Sequence, residues 1–120
     1  MRVRHEPAGE DESRILATDV DRAEGLVDQM RGLMFRDDVP ENYALVFDFG
    51  RAGYRSIHML FVRVPLDVLW LRDDEVVQRK TLSPWTGLGL ARADRVIEFP
   101  AGATEAVEAG DRVVVDDAGE

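Results

Sequence analysis

The sequence predicts an α+β fold: mostly antiparallel strands curled into a barrel-like sandwich, with two short helices. Three observations lead there. Short apolar runs recur between polar, Gly- or Pro-marked breaks, the pattern of many short strands. Only Asp19–Met30 and Thr104–Ala109 carry helical signals. A parallel sheet would need more crossover helices than the chain contains.

Each element has a local reason. Arg14–Thr18 reads as a short strand. Asp19 or Asp21 caps a helix to about Met30, because Leu26, Val27 and Met30 recur at helical spacing. Gly25 weakens that helix by about 1 kcal/mol. Gly32 ends it as a left-handed cap, and Leu33–Phe35 forms an apolar anchor beyond. Pro40 and Asn42 mark a turn, and Ala44–Phe49 and Tyr54–Met59 are strands on either side of a Gly50–Gly53 turn. Leu66–Leu71 begins directly after Pro65, and its unbroken apolar run from Val68 predicts burial on both faces. Arg72–Glu75 is a hairpin turn returning through Val76–Leu82. Ser83–Leu90 is a Pro- and Gly-rich loop, Asp94–Phe99 a strand, Thr104–Ala109 a short helix stopped by Gly110, and Arg112–Val115 the last strand. One domain spans 1–120, with 6–13 and 116–120 polar enough to be flexible.

Composition narrows the function classes. The chain carries 24 acidic against 15 basic residues, a formal charge of −9, and Lys80 is its single lysine. Such a hydrated, self-repelling surface suits a salt-rich cytosol, where dissolved ions screen it. Phosphate binding needs clustered cations, and the arginines look dispersed among acids, so nucleic acid and anionic membranes are rejected as partners. The absence of cysteine removes disulfides and thiolate chemistry. No apolar leader or span appears, which predicts a cytoplasmic protein. Nothing signals a cofactor or an oligomeric state.

Four stretches carry a resemblance: Arg31–Arg36 (RGLMFR), Ala44–Phe49, Ile57–Leu71 (IHMLFVRVPLDVLWL) and Ser83–Gly102 (SPWTGLGLARADRVIEFPAG). In order and spacing they resemble the family numbered 192 among the domains of unknown function, found in bacteria and archaea. The resemblance implies a small α+β fold with barrel-like curling, and no established activity, cofactor or ligand. This chain departs from the common form in having His58 where many members have tryptophan, and in beginning without a signal peptide.

Five side chains are candidates for a binding site. Arg36, held by the apolar anchor, is a fork for a carboxylate, or else a structural ion pair to Asp37, Asp48 or Asp67. Asp67 opens an apolar strand, where an ionised carboxylate needs a partner: Arg36, Arg63 or His58 if buried, a ligand if not. His58 shares a polar strand face with Tyr54 and Ser56, although a lone histidine is more often a satisfied sheet residue. Trp85 sits on a Gly-rich loop, where it can floor a pocket or lid the core. Glu98 shares a face with Val96, pointing inward toward an arginine. Two functions fit these residues. One is a non-catalytic binding module for a small polar ligand or peptide, using all five. The other is a small hydrolase or metal-dependent enzyme built on His58, Asp67 and Glu98. Ser13, Ser56 and Ser83 stand in no nucleophile motif, no Gly-rich phosphate loop opens a helix, and zinc would want three or four ligands at recognisable spacing.

Overall fold

Pro65 has no amide hydrogen to give a ladder, and the central strand starts immediately after it. The structure, a computed structural model, describes residues 1–23, 33 and 36–116. Its strands are β1 (Arg2–Glu6), β2 (Arg14–Ala17), β3 (Asp19–Arg22), β4 (Tyr43–His58), β5 (Leu66–Arg72), β6 (Glu75–Leu82), β7 (Leu88–Pro100) and β8 (Arg112–Asp116). They form one eight-stranded sheet in the order β2-β1-β8-β6-β5-β7-β4-β3.

Strand β5 explains its own sequence. Leu66, Val68 and Trp70 enter one apolar cluster with Leu45, Phe47 and Val96. Leu69 and Leu71 enter another with Val46, Ile97 and Phe99. Two covered faces require apolar residues at successive positions, hence the unbroken run. The hairpin to β6 turns through Asp73 and Asp74, both left-handed with φ of 50° and 66°, the twist that two-residue hairpins favour.

Strands β4 and β7 set up the candidate surface. They pair in two stretches, Leu45–Asp48 with Arg95–Glu98 and Gly53–His58 with Leu88–Ala93, with a register shift between. Such a shift bends and twists both strands. The second stretch folds across Trp70, whose indole N–H donates to the Arg55 carbonyl at 2.8 Å. Gly89 lies flush on that ring, since a Cβ there would stand 2.4 Å from it.

The expected α+β class and barrel-like sandwich are both corrected. The described residues contain no helix, and the sheet is open. Side chains alone bridge the gap between β6 and the bent end of β7: Gln78 donates to the Leu90 carbonyl and Lys80 to the Leu88 carbonyl. No backbone ladder closes it. Of the first expected helix, Asp19–Arg22 is instead strand β3, parallel to Tyr43–Val46, because main-chain pairing at the sheet edge outcompetes a cap. The remainder, from Glu24, lies outside the described residues. The second, Thr104–Ala109, is a run of turns. The Thr104 hydroxyl, whose oxygen would cap the first turn, instead donates to Asp67 and accepts from Arg79. Strand β1 was not anticipated: it is charged outside and buries Val3 and His5 between β2 and β8. Glu6 belongs to that strand, and the Ala8 amide donates to Asp111, within the stretch read as flexible. At the other end, Asp116 closes β8 and residues 117–120 lie outside the described residues. No helix among the described residues is long and apolar enough to cross a membrane.

Candidate functional site

Asp67 is fully buried on the face of Leu69 and Leu71. It accepts hydrogen bonds from the Thr81 hydroxyl (2.8 Å), the Thr104 hydroxyl (2.7 Å), the Thr104 amide (3.0 Å) and the Gly102 amide (3.2 Å). Arg79 approaches at 3.5 Å. Burial pushes this carboxyl up, but the bonds from Thr104, Thr81 and Gly102 outweigh it and hold the group below the usual carboxylate range. Asp67 therefore ties the loop after β7 to β5. Its partners are neither Arg36, Arg63 nor His58.

Glu98 occupies the opposite face. Its cross-strand neighbours are Leu45 and Val68, both of the first cluster, which also holds Leu33. The residue is 5 % exposed and its Oε1 has no hydrogen-bond partner. The inward orientation with Val96 is as expected from alternation, but no arginine among the described residues meets it. Burial raises its pKa to about 7, so the group is largely a neutral acid in slightly acidic solution.

Arg36 lies at the Tyr43 end of β4, its guanidinium 5.1 Å from the centre of the Tyr43 ring. The acids proposed as its partners are engaged elsewhere: Asp37 with Arg63, Asp48 with Arg95 and Arg22, Asp67 as above.

His58 and Trp85 lie on adjoining segments at the far end of the bent β4–β7 pair. Tyr54, Ser56 and His58 are exposed along one face of β4, as alternation requires. His58 pairs with Leu88, and its Nδ1 accepts from the Leu60 amide at 3.3 Å. The turn Met59–Val62 then docks on the Trp85 loop: the Trp85 amide donates to the Val62 carbonyl, and the Met59 amide to the Gly87 carbonyl. Trp85 and Phe61 both adopt left-handed backbone, φ 66° and 63°, which strains a bulky side chain. Their rings meet edge to face at 5.4 Å, yet they remain 48 % and 45 % exposed. Leu60, Leu88 and Leu90 are also exposed.

The five sequence candidates thus divide among four places. His58 and Trp85 are brought to one end. Arg36 lies at the other end of β4, and Asp67 and Glu98 are buried on opposite faces of the sheet. Among the described residues, no group of three His, Asp or Glu side chains could hold a metal ion. Phe61 was missed entirely, because a left-handed phenylalanine leaves no local signature. A plot of acids along the chain, by contrast, exposes the surroundings of this corner.

A single open sheet with a strained aromatic corner defines a small β-domain. The chain belongs to the DUF192 family, described as Uncharacterized ACR, whose model matches residues 8–115. It is similar to the UPF0127 protein PF1050 of Pyrococcus furiosus, with 36 % identity over 97 residues, 76 % of this chain and 81 % of that one. Two crystal structures share the fold. One is a Sinorhizobium meliloti 1021 protein with a suggested role as a transcription regulator (TM-score 0.84, 25 % identity, 94 % of this chain and 91 % of that one). The other is a protein of unknown function from Novosphingobium aromaticivorans DSM 12444 (TM-score 0.82, 20 % identity, 96 % and 84 %).

Proposed function

We propose that this domain is a non-catalytic binding module that holds a peptide segment against the Phe61–Trp85 corner. The observation that carries this reading is the pair of aromatic residues in left-handed backbone that remain about half exposed. Each such residue costs about 1–3 kcal/mol, and a ring half in water returns little burial to offset it. Backbone strain at two half-exposed aromatic residues that pack on each other is what a preformed contact surface looks like. The aliphatic neighbours Leu60 and Leu88 favour a peptide over a small polar ligand, because they offer apolar area rather than hydrogen bonds.

Tryptophan fluorescence tests this. Trp70 is fully buried, so a ligand at the corner should shift and quench the Trp85 emission and leave the Trp70 component alone. Trp85→Gly separates the alternatives, since glycine adopts this backbone freely. A contact surface predicts folding stability within about 1 kcal/mol of the parent, the relieved strain offsetting the lost ring pair, together with loss of peptide binding. If Trp85→Gly instead unfolds the protein or costs several kcal/mol, Trp85 is a core lid and the reading fails.

A further inference from the structure

The charge pattern around this corner is unlike the rest of the molecule. A fifth of the chain is Asp or Glu, yet no acid stands between Asp48 and Asp67, nor between Glu75 and Asp94. The same two stretches carry Arg51, Arg55, Arg63, Arg79, Lys80 and Arg92. Far apart in sequence, they are the segments that pair: Gly53–His58 lies against Leu88–Ala93, with β6 alongside. In a chain of charge −9, folding therefore gathers two acid-free stretches at one end, which Asp37 reaches through its ion pair with Arg63. The impression of dispersed arginines came from reading them along the chain instead of across the sheet.

The cations there differ in how committed they are. Arg63 is paired with Asp37 and Arg79 leans on Asp67. Lys80 donates to the Leu88 carbonyl, which sets its ammonium beside an exposed leucine. Arg92 is exposed across from Tyr54 on the outward face, with no carboxylate partner among the described residues. A desolvated anion from a partner would meet donors here that no acid among the described residues occupies.

We infer that the surface formed by the Phe61–Trp85 corner, Leu88, Lys80 and Arg92 docks an acidic, apolar-containing peptide segment of another protein. This rests on the binding-module reading above and adds the partner's chemistry. Exposed leucines and aromatics take its apolar side chains, while Lys80 and Arg92 take its carboxylates. A long polyanion is disfavoured: the molecule's overall negative charge repels it, and Leu60, Leu88 and Leu90 offer nothing to phosphates. A short acidic segment meets the local cations without presenting that extended charge to the rest of the surface.

The test is fluorescence anisotropy on the intact protein with labelled peptides of equal length and identical apolar residues. One set carries Glu and Asp, a second their Gln and Asn isosteres, a third Lys. A single-stranded oligonucleotide is the fourth probe. The inference expects the acidic peptide to bind about tenfold or more tighter than its neutral isostere, a preference that shrinks as salt rises. It also expects the double charge reversal Lys80→Glu with Arg92→Glu to shift the preference to the lysine peptide, a gain that a misfolded variant could not show. If neutral and acidic peptides bind alike, the inference is overturned and the binding module stands. If the oligonucleotide binds tighter than every peptide, the partner class is overturned. Binding by no peptide at all overturns the module together with the inference.

Discussion

Asp67 and Glu98 lie on neighbouring strands, both buried, yet the fold treats them in opposite ways. Asp67 receives bonds from Thr81, Thr104 and Gly102. One Glu98 oxygen has no partner, and its cross-strand neighbours are leucine and valine. The difference follows from which face each side chain takes. On the Asp67 face the loop after β7 returns beneath the sheet and delivers amides and a hydroxyl. On the Glu98 face the neighbouring strands supply methyl groups. Burial by itself therefore says little about a carboxylate; the supply of donors decides whether it is held charged or neutral.

Breaking Asp67 should have the largest effect. Asp67→Ala strands the donors of Thr104, Thr81 and Gly102 in a dry site, so it should cost about 3–5 kcal/mol in urea unfolding. A loss below about 1 kcal/mol would mean that the loop does not depend on this carboxylate.

The next effect is read in pH. Glu98 titrates at about 7 in the folded protein against an ordinary 4.5. The folded state thus binds the extra proton between these values, and stability is full below about pH 4.5 and declines as pH rises through about 7. The decline is on the order of 3 kcal/mol. Asp67 runs the other way: its pKa is lowered, so its contribution is present above the ordinary 3.8 and is lost as pH falls through the folded value. Opposed slopes place the optimum of this pair near pH 4–5. Glu98→Gln should flatten the upper slope and make the protein more stable than the parent at pH 8. An unchanged slope in that variant would assign the titration to another group.

A smaller change sharpens the comparison further. Thr104→Val removes one hydroxyl donor from Asp67 while leaving the amides in place. It should cost about 1–2 kcal/mol and move the acid limb of the stability profile to higher pH. If the acid limb stays where it is while stability falls, the threonine serves packing rather than the carboxylate.

How much could be read in advance varied with the range of the interaction. Strands β5 and β6 and their turn were legible because Pro65, the apolar run and two turn-forming aspartates act on their own neighbours. Asp67 was legible as a group needing a partner, but its donors at Gly102 and Thr104 lie more than thirty residues away. Strand β1 escaped notice because its buried His5, bonded to Asp111 at 2.8 Å, reads locally as one more charge in a polar stretch. The helix expected from Asp19 failed where an edge strand could pair with Tyr43–Val46. His58 and Trp85 could be singled out from residue type and strand alternation, and both are exposed, whereas Phe61 becomes notable only through its backbone angle.

The amino-acid order alone determined the family, the central hairpin and the alternation that turns His58 outward and Glu98 inward. Those features depend on spacing and on steric rules within a few residues. Only the folded sheet decided that two distant acid-free stretches share one end, that Asp67 is saturated with donors, and that one oxygen of Glu98 has no donor among the described residues. Each of those depends on which strand lies beside which, a choice made by the whole core at once.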